Sequence, residues 1–311
     1  MSKRGSASPP PSKRARRSPE EPSSSHRADA NGATMSKSVS LPPLSVSLLG
    51  VEPLDEFILA VADFVHHMIL QRPNIVGNIE VEAKIGLLKD TGTGQRLQLP
   101  VAVETILEPN AVDCRFESNM SPRQHKHFNE LLNRLKVQSI RPDHPSTPVE
   151  YKHLYLVDSF YPGDRNEKIR VTRDEKTGEV RECMRKIRLG DLNIYSPRRS
   201  ADWRISVNLE APAQHPIGSS TMTRKKDRLS YTHEEFIIDL TQVNSTTSPN
   251  APSQVYHELE VEIARSSLLM STAAQRGDPN VSEHERSAFD ELIRAFVNNA
   301  RILVRNATNE W

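Results

Sequence analysis

Two stretches of alternating charge set the strongest limit on how this chain can fold. Asn78-Ile79-Glu80-Val81-Glu82-Ala83-Lys84-Ile85 and His257-Glu258-Leu259-Glu260-Val261-Glu262-Ile263 place charge at every second position and apolar groups between. That is the period of a β-strand with one charged face and one apolar face. Same-face neighbours on a strand lie roughly 6.5–7 Å apart, so adjacent glutamates can lean toward one small cation. Two such strands side by side would gather their carboxylates around a single point. Like charges at that density repel and take up protons unless something positive sits among them. Oxygen-only ligands suit hard cations such as Mg²⁺ or Mn²⁺ rather than zinc.

The same period runs through the middle of the chain. Lys168, Arg170 and Thr172 alternate with Ile169 and Val171; Lys186 and Arg188 alternate with Ile187 and Leu189. Arg204, Ser206, Asn208 and Glu210 alternate with Trp203, Ile205, Val207 and Leu209, and Asp239 and Thr241 with Ile238 and Leu240. Arg224, Lys226 and Arg228 share one face, leaving Lys225 and Asp227 on the other. Turn-rich segments at 174–178, 196–200, 211–220 and 245–253 separate these runs, as expected of antiparallel strands.

Helices flank the strands. The apolar positions Leu54, Phe57, Ile58, Val61, Phe64, Val65, Met68 and Ile69 predict an amphipathic helix over 54–70. Ser121-Pro122-Arg123-Gln124 reads as a capping-box start leading to Phe128, Leu131, Leu132 and Leu135. Ser282 with Glu285 opens a third helix through about Val304. Its apolar residues exceed what one packing face needs, so it is either deeply buried or a subunit interface.

The class that emerges is α+β: a β-barrel with its charged faces turned inward as a polar lumen, its apolar faces covered by several α-helices. Residues 1–44 are Ser/Pro-rich, basic and without an aromatic, and are expected to be a disordered tail; 45–311 are expected to be the folded domain. Lys13-Arg14-Ala15-Arg16-Arg17 reads as a nuclear-localisation cluster or a weak polyanion contact. With 41 Lys plus Arg against 40 Asp plus Glu, net charge identifies no partner. Two cysteines, Cys114 and Cys183, exclude a disulfide framework and a zinc cluster. The first forty residues show no signal-peptide pattern, and the longest apolar stretch, 54–70, is broken by charges and does not span a membrane.

A lumen of this kind invites phosphoryl transfer to water. A metal held by glutamates neutralises a terminal phosphate, Arg and Lys bind its non-bridging oxygens, and a spare carboxylate orients the attacking water. The sequence contains no glycine-rich phosphate loop and no Ser-, Cys- or His-based nucleophile motif.

Three of these segments together resemble a known family. Ile79-Glu80-Val81-Glu82-Ala83-Lys84, Arg224-Lys225-Lys226-Asp227-Arg228-Leu229-Ser230-Tyr231 and Tyr256-His257-Glu258-Leu259-Glu260-Val261-Glu262-Ile263 are similar to the signature motifs of the fungal RNA 5′-triphosphatases, the metal-dependent tunnel enzymes that begin mRNA cap formation. The likeness extends over nearly all of 50–305. It implies an eight-stranded antiparallel β-barrel forming a polar tunnel, and removal of the γ-phosphate from triphosphate-ended nascent RNA with Mg²⁺ or Mn²⁺. It also implies metal ligation by Glu80, Glu82 and Glu262, and water orientation by Glu258 and Glu260. Arg170, Lys226 and Arg228 would grip the γ-phosphate, Lys186 and Arg224 would be further basic tunnel positions, and Glu210, Asp239 and Thr241 would hold the cations in place. Lys84 is read as a salt-bridge partner of the acids. The partners implied are an mRNA guanylyltransferase, the phosphorylated C-terminal tail of RNA polymerase II and a second copy of the chain, with Leu292, Ile293 and Phe296 as the suspected dimer contacts. The place is the nucleus. The tail lacks the tryptophan-bearing docking peptide that certain relatives carry before the catalytic domain.

Two other readings compete. One keeps the chemistry but acts on free nucleoside triphosphates or polyphosphate. The other is a non-catalytic polyanion-binding barrel, which uses the basic strands and leaves the glutamates without a purpose.

Overall fold

Each run of alternating polarity becomes a strand, and the strands close on themselves. The computed structural model describes residues 44–53, 55–163, 167–247, 252–309 and 311. Leu54 and the basic cluster 13–17 lie outside the described residues, as does nearly all of the 1–44 tail. Residues Pro53–Trp311 form one compact unit. Its strands are β1 (Asn78–Asp90), β2 (Thr105–Leu107), β3 (Cys114–Glu117), β4 (Glu150–Pro162), β5 (Lys168–Asp174), β6 (Val180–Tyr195), β7 (Asp202–Pro212), β8 (Met222–His233), β9 (Phe236–Thr246) and β10 (Gln254–Ile263). Its helices are α1 (Glu56–Leu70), α2 (Pro122–Ser139), α3 (Ser266–Gln275) and α4 (Glu283–Arg305).

The barrel has eight antiparallel strands in the cyclic order β1-β10-β9-β8-β4-β5-β6-β7. β1 closes it by pairing on both edges: Glu82 lies opposite Ser206 of β7 and opposite Glu262 of β10. β3 continues the sheet beyond β1, and β2 adds to β6. Closure leaves the barrel strands without the exposed edges that invite aggregation.

The hydrophobic core lies outside the barrel. Ile79, Val81, Ala83 and Ile85 of β1, Trp203, Ile205 and Val207 of β7 and Leu259 and Val261 of β10 are buried in one cluster with α1, α3 and α4. Each fully buried aliphatic side chain contributes about 1.5–3 kcal/mol, so this external layer supplies the stability that a polar lumen cannot.

Several local expectations change. α1 begins at Glu56, with Asp55 accepting from the Phe57 N–H as its cap. At α2, Ser121 accepts from Gln124 N, but the Gln124 side chain turns away to accept from Thr308 of the C-terminal segment. α4 carries the complete reciprocal box between Ser282 and Glu285. α3 was not expected; its short sequence is only weakly amphipathic and has no side-chain cap. β2, β3 and β4 were not expected either.

Leu292, Ile293 and Phe296 need correction as dimer contacts. All three are buried within the chain's own core, with Ile293 and Phe296 fully enclosed. The surplus of apolar residues on α4 is explained by its neighbours: it packs on α1, α3, β1, β7 and β10 together. Phe296→Ala should therefore cost about 3–5 kcal/mol of stability, the usual range for emptying a buried aromatic site. Chemical denaturation measures this, with sedimentation as the companion reading. A variant that dissociates but keeps full stability would return Phe296 to an interface.

Candidate active site

The polar faces of the barrel strands meet across the lumen. Contacts that skip an intervening strand show it: Lys186 of β6 reaches Glu80 and Glu82 of β1 past β7, and Arg228 of β8 reaches Glu260 of β10 past β9. All the sequence-predicted site residues lie on these inward positions.

On one wall, the Lys186 ammonium sits between Glu80 and Glu82, 3.2 Å from Glu82 Oε1. Asn208 donates to Glu80 at 3.0 Å and to Glu82 at 3.4 Å. Lys84 bridges Glu82, at 3.1 Å, and Glu260, in line with its reading as a partner of the acids. Opposite, Arg228 binds Glu260 at 2.9 Å, Thr241 at 3.1 Å and Asp239. Arg170 reaches Glu210 at 3.2 Å and Glu182 at 3.3 Å. Glu258 accepts from Ser118 at 3.3 Å, with Arg224 at 3.9 Å.

Burial opposes ionisation throughout the lumen, and the local cations decide which carboxylates overcome it. At Glu260, burial is outweighed by Lys84 and Arg228, which hold the carboxyl far below its usual range. At Glu82, burial is outweighed by Lys84 and Lys186, and the carboxyl again falls below its ordinary value. Glu80 differs: burial and then Glu82 outweigh Lys186, raising its carboxyl to about 7. Glu262 is pushed well up by burial and by Asp239, Glu260 and Glu80. Among the described residues its carboxylate makes no hydrogen bond or ion pair. Lys226 falls below its ordinary value because burial outweighs the help of Asp158.

The lumen is thus short of positive charge around Glu80 and Glu262 and well supplied around Glu260. A divalent cation would remedy that shortage, and the oxygen-only donors Glu80, Glu82 and Glu262 have the right chemistry for a hard one. Among the described residues no three acids are drawn together as a closed coordination shell; the Lys186 ammonium lies between Glu80 and Glu82. The basic wall has an orphan of its own, since the buried Arg170 Nε has no hydrogen-bond partner among the described residues. It is a donor suited to an anionic oxygen.

The structure adds residues that the sequence reading missed. Asp158 of β4 is fully buried, 2.5 Å from Lys226, and accepts from Thr172 at 2.7 Å. Its signal in the sequence was a lone acid in an otherwise apolar and aromatic run. Asp191 and Asn193 enter the lumen through a bulge between Arg188 and Gly190. There Asp191 accepts from Ser206 at 2.7 Å, and Asn193 accepts from Arg204 at 2.8 Å. Gly190 lets α1 approach the bulge closely: a Cβ there would lie 2.6 Å from Met68 Sδ and 3.2 Å from the Phe64 ring, so those side chains would have to shift.

The profile of the family described as mRNA capping enzyme, beta chain, matches residues 51–309. The mRNA-capping enzyme subunit beta of Schizosaccharomyces pombe is 35% identical over 274 residues, covering 86% of this chain and 87% of that protein. The polynucleotide 5′-triphosphatase CTL1 of Saccharomyces cerevisiae is 28% identical over 250 residues, 75% of this chain and 72% of that one. The structure of S. pombe Pct1 RNA triphosphatase superposes with a TM-score of 0.77 at 33% identity, covering 86% of this chain and 100% of that one. The same protein in complex with the Spt5 CTD gives 0.76, with the same identity and coverage. Matched in sequence and in three dimensions over most of its length, the chain belongs to the mRNA capping enzyme beta-chain family.

Proposed function

We infer that this chain is the RNA 5′-triphosphatase of a capping enzyme, removing the γ-phosphate of triphosphate-ended nascent RNA to leave a diphosphate end. The observation that carries this reading is the lumen itself, in which under-compensated carboxylates face buried cations across a closed barrel. Family membership supplies the substrate class. A pure polyanion-binding barrel would gain nothing from Glu80, Glu82 and Glu262, which repel its ligand.

The division of labour follows from the contacts. Glu80, Glu82 and Glu262 would hold Mg²⁺ or Mn²⁺, which would supply charge neutralisation at the phosphate and polarisation of the bond that breaks. Lys186, held by Glu80 and Glu82, is a further basic position for the phosphate. Arg228, Lys226 and Arg170 grip the γ-phosphate, with Arg224 as a further basic position. Asp239, Thr241 and Glu210 hold these cations, as does Asp158. Glu260 has both oxygens taken by Lys84 and Arg228, which suits an anchor. Glu258 has one carboxylate oxygen without a hydrogen bond among the described residues, which suits accepting a proton from the attacking water.

The catalytic domain spans 45–311, behind the tail 1–44, and the site of action is the nucleus. The partners are an mRNA guanylyltransferase, implied by the beta-subunit kinship, and a C-terminal tail peptide. The tail named with Pct1 is that of Spt5; the phosphorylated tail of RNA polymerase II is the partner expected from sequence. A homodimer would use a surface other than Leu292, Ile293 and Phe296.

Two measurements test the site. Release of phosphate from γ-labelled triphosphate-ended RNA should require Mg²⁺ or Mn²⁺ and should fall by about 10²–10³-fold or more in Glu82→Ala, the scale of losing one preorganised electrostatic contact. Unchanged turnover in that variant, or no release by a folded wild type with either metal, would sink the enzyme reading. Turnover of inorganic tripolyphosphate far above that of RNA would shift the substrate to free polyphosphates.

The second measurement uses pH. The Glu80 carboxyl, raised from 4.5 to about 7 in the folded chain, contributes stability below 4.5 that is lost as pH rises through about 7. In chelator, the melting temperature of wild type relative to Glu80→Gln should decline across that window. Added Mn²⁺ should restore wild type at the upper end and do less for the variant. Parallel curves for the two proteins would show that Glu80 is not raised.

A further inference from the structure

Neighbouring strands of one wall change charge in the same direction along the lumen. From the end where β1 begins toward the end where it finishes, the inward positions run Glu80, Glu82, Lys84 on β1 and Glu210, Asn208, Ser206, Arg204 on β7. In the same direction β6 runs from Glu182 to Lys186 and Arg188, and β5 from Thr172 to Arg170 and Lys168. One end of the lumen therefore gathers Glu80, Glu182, Glu210 and Glu262, with Lys152 of β4. The other carries Lys168, Arg188, Arg204 and Arg224 against Asp191 and Glu258. Asp191 is shared by Arg188, at 3.1 Å, and Arg204, at 3.3 Å, and Arg224 stands 3.9 Å from Glu258. Bases outnumber acids at that end.

The wall also opens there. β5 and β6 pair no further than Ile169 with Arg185, while β6 continues to Tyr195. Beyond that last pair a cleft of about 450 Å³ lies between the end of β4, the start of β5 and β6. Arg170, Lys186 and Asn208 of the lumen site line it together with Phe160, Lys168 and Arg188. Lys168 and Arg188 are exposed, the Arg188 side chain keeping 67% of its surface in solvent. Among the described residues the Lys168 ammonium meets no carboxylate. The one acid lining the cleft, Glu167, is bound to Arg185 at 3.0 Å.

We propose that the RNA chain behind the triphosphate leaves the lumen through this cleft, with its first phosphodiesters on Lys168 and Arg188. The inference rests on the RNA 5′-triphosphatase reading and adds the direction in which the substrate lies. With the γ-phosphate on Arg170, Lys226 and Arg228, the rest of the molecule has two ways out. Toward the acidic end, each further phosphate would meet carboxylates already short of positive charge. Toward the basic end it meets cations, one of them unpaired. Contacts to phosphate alone carry no sequence information, which fits a substrate defined by its end rather than its sequence. Inorganic tripolyphosphate and a free nucleoside triphosphate have no phosphodiester to place on the pair, so these two side chains favour RNA over both.

The test is steady-state hydrolysis by the full chain in Mn²⁺, with a triphosphate-ended RNA decamer, GTP and inorganic tripolyphosphate as substrates. Lys168→Gln with Arg188→Gln should raise KM for the decamer by about tenfold, the scale of losing charge-assisted contacts, with kcat kept. KM for GTP and for tripolyphosphate should move far less. Against salt on logarithmic axes, the decamer KM of this variant should climb less steeply than that of wild type, by about 1.4 for two contacts at roughly 0.7 each. The melting temperature checks folding, and Lys168→Gln alone, which removes no ion pair among the described residues, gives the same reading should the double variant be unstable. Equal rises for all three substrates would overturn the proposal, since the pair would then serve the triphosphate itself. An unchanged decamer KM would overturn it too, and a rise in Lys152→Gln instead would send the RNA out through the acidic end. Wild type that hydrolyses tripolyphosphate but not the decamer would remove the RNA 5′-triphosphatase reading and this inference with it, before any variant is compared.

Discussion

The ion lattice spanning the lumen is the interaction on which the rest of this protein depends. Charges taken out of water cost several kcal/mol each, and mutual attraction offsets that only when partners meet with good geometry. Arg228 meets this demand by binding Glu260, Asp239 and Thr241 together, and Lys84 does so by joining β1 to β10. The Lys84–Glu260 contact exists only when β1 meets β10 and the ring closes. Opening the barrel there would take from Glu260 one of its two cations. Closure and charge pairing therefore require each other.

The lattice is uneven, and the unevenness is informative. Glu260 is paired with two cations, whereas Glu262, one inward position along the same strand, makes no ion pair among the described residues and feels Arg228 only weakly against the surrounding acids. Solvation alone cannot explain the contrast, since both carboxylates are buried deep enough for burial to oppose their charge. The difference is which wall each faces: Glu260 looks toward Lys84 and Arg228, Glu262 toward Asp239 and Glu80. One strand thus supplies a fixed anion that positions bases and an unsatisfied anion that calls for an added cation. The alternation that makes the strand also separates these two tasks.

Much of this was legible in the sequence because a half-polar strand announces its period. β1, β7 and β10 each carry charge on one face and apolar groups on the other, β8 sets three basic residues on one parity, and the predicted site residues fell on the inward face without exception. β4 hid itself. Leu154, Leu156 and Phe160 share the inward parity with Asp158, while Tyr151, Tyr155 and Tyr161 occupy the other, so both faces read as apolar. The bulge that brings Asp191 inward was equally illegible, because its glycine sits under Phe64 and Met68 of α1, more than a hundred positions away, a neighbour the local sequence does not announce. On α4 the apolar surplus was visible, but only the packed structure assigns it to several neighbours within the chain. Periodicity reports the faces of an element; it does not report what stands opposite.

The external core explains how an electrostatically costly lumen survives. In most barrels of this size the interior side chains fill the middle and provide the stability. Here Trp203, Ile205 and Val207 point away from the lumen, into a layer completed by Phe289, Ile293 and Phe296 of α4. Stability and chemistry therefore sit on opposite faces of the same strands, one residue apart. A lumen group can stay without a partner among the described residues, as the Glu262 carboxylate and Arg170 Nε do, because the cost is met on the other side of the sheet. The same separation means that replacing a lumen carboxylate removes repulsion as well as attraction, so loss of function there need not bring loss of fold, whereas one emptied position on α4 threatens the wall that holds every lumen residue in register.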